Sequence, residues 1–129
     1  MTVEPRVREV GFGDWEGVDR KTLETERASE YTAFHRNPAE NRPAGAEPLV
    51  DFRHRVADTF DALLQAHPGE HLLVVAHAGV IRATLGHVLE APLSSWYRIE
   101  VAHAALTRFT LDAQAVRVVF HNWRPDDAG

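Results

Sequence analysis

The chain of 129 residues contains no cysteine. That excludes a disulfide framework, a CxxC redox pair and any thiolate-held zinc or iron–sulfur centre. It has little apolar continuity. The longest run, Leu72-Leu73-Val74-Val75-Ala76, is far short of the roughly 20 residues that cross a bilayer. No basic segment followed by an apolar core opens the sequence, so no signal peptide is read and a cytoplasmic protein is expected. A basic excess is missing too: 14 Lys+Arg stand against 19 Asp+Glu, a net charge of −5. This speaks against nucleic acid as a partner. The eight histidines include no HxH and no HExxH, so no metal site is expected.

What is present is ordinary for one soluble globular domain: 44% hydrophobic and 26% charged residues, without repeats or low-complexity tracts. The whole chain, 1–129, is read as a single domain. Lys21 is the one lysine beside 13 arginines, and Arg suits planar, bidentate recognition of carboxylate or phosphate. GC-rich coding accounts for such a bias equally well.

Residues 1–17 carry glycines and aromatics without helical period and read as irregular. A helix is expected from Asp19 to His35, capped by Asp19, with Leu23, Tyr31 and Phe34 as contacts. Asn37 to Pro48 reads as a loop. Leu49, Phe52, Val56, Phe60 and Leu63/Leu64 recur every three to four residues, the stripe of a core-facing helix. Pro48 suits its first position, Asp51 its positive end, and His67-Pro68-Gly69 stops it. Leu72 to Ala76 reads as a strand buried on both faces, as in a parallel sheet. A helix from Val80 to Leu89 follows. Ala104 to Leu111 and Val116 to His121 read as a hairpin. The order argues for a layered α/β domain, in which ligands sit beyond the carboxyl ends of strands.

His77 stands at that place. Ala78 and Gly79 follow it, small enough for backbone amides to approach a ligand, and the helix start favours an anion. His77 is either a nucleophile, acid–base group or phosphate-pairing cation, or a strand-end His satisfied by a neighbouring carbonyl. Spacing alone leaves both readings open. In Arg8-Glu9-Val10-Gly11-Phe12-Gly13-Asp14-Trp15-Glu16-Gly17, Glu9 could reach a cleft as a proton donor. Taken alone, that segment reads more simply as a solvated Glu beside a turn anchored by Phe12 and Trp15.

In this order the two segments resemble the histidine phosphatase superfamily, with its phosphoglycerate mutase-like fold, and most nearly its α-ribazole and broad-specificity phosphatases. Val7 to Gly17 is similar to the family's L-x-E-x-x-F-G-x-W-E-G segment. Val74-Val75-Ala76-His77-Ala78-Gly79-Val80-Ile81-Arg82 is similar to V-V-x-H-G-G-x-I-R. Gly45-Ala46-Glu47-Pro48, with Asp51 and Arg55, resembles a G-E-S helix start with a downstream Arg. The closing Ala105-Leu106-Thr107 and Asn122 also fit. The resemblance implies a three-layer α/β/α sandwich acting on small phosphomonoesters through a phosphohistidine. Glu9 and His77 would be catalytic, and His77, Ala78 and Gly79 would bind phosphate. No metal or cofactor is implied, because imidazolium and guanidinium groups hold the charge.

One departure stands out. The family's nucleophile lies in a strand-ending R-H-G, and this chain has none. Arg53-His54-Arg55 is the nearest string, inside a helix. The chain therefore reads as an N-terminally incomplete family fold, inactive alone. It is expected to self-associate or to pair with a complementing portion over an exposed sheet edge. The alternative is a non-catalytic module that binds phosphate ligands or oligomerises. Arg82 is expected to form an ion pair fixing its helix. His103 is placed at the surface, and Trp96, Tyr97 and Trp123 in packing. The remaining histidines carry no assigned role.

Overall fold

The computed structural model describes residues 1–128. Its elements run α1 (Arg20–Glu26), α2 (Ala28–Arg36), α3 (Leu49–Ala66), α4 (Ala78–Leu89), β1 (Leu106–Leu111) and β2 (Val116–Trp123). Short 3-10 turns occur at Pro5–Val7, Gly13–Trp15, Leu93–Arg98 and Pro125–Ala128.

The core lies where α3 meets α4. The apolar stripe on α3 buries Leu49, Phe52 and Val56, and α4 answers with Val80 and Ala83. Val10 and Trp96 close the cluster, Trp96 standing edge-on to Phe52 with ring centroids 5.7 Å apart. A fully buried side chain of this size contributes on the order of 2–3 kcal/mol. Pro48 is the N-cap of α3 rather than its first residue. Asp51 lies in the first turn, and His67 ends the helix. Arg53 on α3 donates to the Gly86 carbonyl at 2.5 Å and to the Ala91 carbonyl. It thereby ties α3 to the C-terminal end of α4 and the residue just beyond it.

A second cluster joins Trp15, Leu23 and Phe34. The single helix expected from Asp19 to His35 is two, because Arg27 leaves helical dihedrals at φ −129°, ψ 41°. Each piece buries one anchor, Leu23 or Phe34. With so little buried face, tertiary packing rather than propensity sets the helix limits. The Asp19 cap forms as expected, its carboxylate accepting from the Thr22 amide at 2.7 Å. The hairpin also forms: β1 and β2 pair antiparallel. Its turn is closed by Asp112, which accepts from the Gln114 and Ala115 amides at 2.8 and 2.9 Å.

The buried strand is the main correction. Residues 71–77 belong to no strand, and β1–β2 is the one sheet among the described residues. The run is exposed: Leu72 43%, Leu73 79%, Val74 51% and Val75 88%. The alternation has physical content. Leu72 and Val74 are less exposed than their neighbours, and half-buried Ala76 packs against the main core. Leu73 and Val75 turn outward. An apolar run becomes a buried strand only when neighbours supply ladder partners and a covering layer. Only Ala76 reaches the core here, and among the described residues no strand pairs with the run.

Candidate functional site

Two segments distant in sequence meet at the start of α4. His77 is its N-cap, with extended backbone (φ −85°, ψ 165°), and its carbonyl accepts from the Val80 and Ile81 amides at 3.1 and 3.3 Å. The imidazole is on an exposed residue, and none of the hydrogen bonds found for this histidine engages its ring.

Glu9 arrives from the N-terminal loop. Its Oε2 accepts from the Gly79 amide at 3.2 Å and its Oε1 from the Val10 amide at 2.9 Å. A carboxylate is favoured there by the positive end of the helix dipole. The contact depends on glycine: a Cβ on Gly79 would lie 2.0 Å from Glu9 Oε1. Glu9 and His77, 68 positions apart, thus share one helix terminus, and the Gly79 amide expected to receive a phosphate oxygen is held by Glu9. A phosphate oxygen on that amide would have to take the place of Glu9.

The loop is shaped by a close backbone approach. At Gly13 (φ +56°) a Cβ would meet the Ala44 carbonyl oxygen at 2.2 Å and the Ala46 nitrogen at 2.5 Å. Only glycine lets the segment carrying Glu9 lie flat against the loop ahead of α3.

Among the described residues Arg82 has no carboxylate partner. Its Nε donates to the Ile99 carbonyl at 2.9 Å, and its guanidinium lies 5.0 Å from the Tyr97 ring centroid. The expected ion pair is therefore corrected to a carbonyl bond with a cation–π contact. Trp96 packs as expected, and Trp123 sits at the end of β2 with its ring 6.1 Å from that of Phe120. His103 is exposed.

Tyr97 was expected only to pack, yet it lies within electrostatic reach of the site. Burial pushes its phenol up to about 12; the Arg82 and Arg42 charges oppose that shift, and the charge of Glu9 adds to it. The ring also contacts Phe34 and His35, with centroids 5.4 and 4.9 Å away. Burial, followed by the charge of Arg20, lowers His35. Nothing in the Trp96-Tyr97 dipeptide signals this neighbourhood, because the partners come from four other segments of the chain. Arg55 and Glu47 were read as parts of a helix-start motif. They form an ion pair, Arg55 Nη2 to Glu47 Oε1 at 2.8 Å. No group of three or more His, Asp or Glu among the described residues is arranged to hold a metal.

Comparison with known proteins places the chain. The model of the histidine phosphatase superfamily (branch 1) matches residues 1–124. The adenosylcobalamin/α-ribazole phosphatase of Salmonella typhimurium is 27% identical over 95% of this chain and 62% of its own length. The glucosyl-3-phosphoglycerate phosphatase of Mycobacterium tuberculosis is 28% identical over 74% of this chain and 46% of its own. Among solved structures, a mycobacterial glucosyl-3-phosphoglycerate phosphatase in complex with VO3 superposes with a TM-score of 0.81 at 24% identity. It is matched over 95% of this chain and 63% of that one. YhfR of Bacillus stearothermophilus superposes with a TM-score of 0.80 at 22% identity, over 90% of this chain and 58% of that one. These likenesses establish the α/β phosphoglycerate mutase-like fold. The chain spans at most about three-fifths of the length of these relatives. With the family model covering nearly every residue, the chain belongs to the histidine phosphatase superfamily.

Proposed function

We propose that this chain is the part of a histidine phosphatase that binds a small phosphomonoester and protonates its leaving group. The observation that carries the reading is the convergence of Glu9 and His77 on the first turn of α4. His77 and those α4 amides that Glu9 leaves open would hold equatorial phosphoryl oxygens. Glu9 would protonate the departing alkoxide and then take a proton from the attacking water. The covalent step needs an imidazole nitrogen to form the N–P bond as the P–O bond breaks, and water later breaks the N–P bond. The sequence has no Arg-His-Gly, so that imidazole comes from a complementing portion of the fold and the chain alone does not turn over. The phosphatase activities named for the Salmonella and mycobacterial relatives support a small phosphorylated substrate. A cytoplasmic location accords with the cysteine-free composition.

The outward face of Leu73 and Val75, 79% and 88% exposed, favours a second element of the reading. A complementing α/β portion lays a strand beside residues 72–76 and covers that face. Without it, the isolated chain self-associates through the same run.

Hydrolysis of p-nitrophenyl phosphate is the direct test. Neither this chain nor His77→Ala should turn it over. Turnover abolished by the substitution would mean that the nucleophile is already here. Inorganic phosphate should shift the His77 and Gly79 amide resonances, and His77→Ala should weaken that response. A flat titration would overturn phosphate binding at α4.

A further inference from the structure

We propose that the Glu47–Arg55 pair is the positioning device for Glu9, fastening the backbone on both sides of it so that the carboxylate stays on the start of α4. The inference rests on the reading of Glu9 as the proton donor. It comes from hydrogen bonds that no catalytic role uses.

Arg55 Nη1 donates to the Arg6 carbonyl at 2.8 Å and to the Arg8 carbonyl at 3.0 Å, three positions and one position upstream of Glu9. Its Nη2 and Nε donate to the two oxygens of Glu47, at 2.8 and 3.2 Å. Four of the five guanidinium N–H groups are thereby committed to the protein. A substrate phosphate is left almost nothing, which separates Arg55 from a phosphate-binding arginine. The downstream side is tied through Glu47. Its amide donates to the Gly11 carbonyl at 3.0 Å, and its Oε1 accepts from the Gly11 amide at 3.4 Å. Arg42 repeats the tie, donating to the Gly11 carbonyl and the Glu47 carbonyl, each at 3.2 Å.

Glu9 thus hangs between clamped points at Arg6 and Arg8 on one side and Gly11 on the other. The clamp is anchored in the core, because the Arg55 guanidinium lies 4.8 Å from the ring centroid of Phe52. It is also shielded. The side chains are 15% and 21% exposed, against 28% or more for every other ion-paired side chain found among the described residues. Exposed pairs hold little, whereas a shielded bidentate pair fixes geometry as well as charge. A proton donor displaced by 1 Å loses much of its effect, so a loop without secondary structure needs such a fixture.

The readout is the Gly79 amide, which reports the presence of the Glu9 carboxylate whether or not turnover occurs. Amide spectra of the full chain, without phosphate, are compared for wild type, Glu9→Gln, Arg55→Gln, Arg55→Lys and Glu47→Gln. Glu9→Gln sets the full displacement of the Gly79 resonance. Arg55→Gln should move Gly79 most of the way in the same direction, Glu47→Gln should follow it, and Arg55→Lys should restore part of the wild-type position. Amides of α4 beyond its first turn should stay in place. A residue that merely stabilises the fold would lower the melting temperature without moving Gly79 selectively. A Gly79 resonance unmoved in both Arg55→Gln and Glu47→Gln, or unmoved even in Glu9→Gln, overturns the proposal. If Arg55→Gln does not fold, the near-isosteric Glu47→Gln carries the test alone. A phosphate titration of the wild type separates the two readings. Failure there with Gly79 responding to the clamp variants sinks the phosphate site and leaves the positioning intact.

Discussion

Two stretches of this chain carry equally clear hydrophobic signals and meet opposite fates. The α3 stripe ends in a sealed core, with Phe52 wholly excluded from solvent. Leu72 to Val75 stands in the open, Val75 at 88% exposure. The difference lies in where each element finds its backbone partners. A helix satisfies its amides and carbonyls within itself and needs neighbours only for one face. A strand needs partners for its backbone on both edges and apolar cover on both faces. The first set of needs is met inside these residues. The second is not met among the described residues. The fold therefore holds its site through helix packing and a clamped loop, while the segment that delivers His77 has no strand beside it among the described residues.

The sharpest way to break the comparison is Phe52→Ala. If the α3–α4 interface carries the fold, removing this ring should cost about 3–5 kcal/mol in urea unfolding. It should also release Arg55 from the ring beneath it. A loss no larger than that of a surface substitution would mean that the core is organised elsewhere.

That core was legible in the sequence because the 3.6-residue period of Leu49, Phe52 and Val56 is a local property. The caps were too: Asp19 and the His67 stop are written in single residues. The site was legible only as two motifs. Glu9 and His77 could be named, but their sharing of one helix terminus is a tertiary fact, as is the clamp. Nothing local to Glu47 or Arg55 reveals that they grip carbonyls 47 and 49 positions from Arg55. The strand was misjudged for a physical reason as well. Apolar continuity states what a segment needs, and says nothing of whether the neighbours are present.

A smaller effect sharpens the clamped side. Burial alone would raise the Glu47 carboxyl. Hydrogen bonds from Arg55 and the Gly11 amide, with the charges of Arg55 and Arg8, outweigh it and hold Glu47 below its usual value. A depressed folded-state value means stability that is present above the ordinary glutamate pKa of 4.5. That stability is lost as pH falls through the lower, folded value. Stability should therefore drop on acidification below about pH 4.5 more steeply in wild type than in Glu47→Gln. Urea titrations from pH 6 to pH 3 check this. Identical slopes would mean that the pair contributes geometry without linkage. Glu4 and Asp112, also held low by arginine partners, are common to both proteins and cancel in the difference.

The smallest effect on stability should come from the exposed run, and there its smallness is the point. Leu73 and Val75 make little contact in the isolated chain. Replacing both with Lys should therefore shift the unfolding midpoint by no more than about 0.5 kcal/mol per site. Association is another matter. Like charges along a strand edge block pairing with a second strand. Light scattering should find concentration-dependent assembly in the wild type and a monomer in the Leu73→Lys/Val75→Lys variant. A wild type that stays monomeric at high concentration would sink the proposed edge pairing. A variant that unfolds would show that the run is already covered within the chain, and the contrast between the two stretches would collapse. With the fold intact and assembly lost, the run is an interaction surface, and His77 sits at its end.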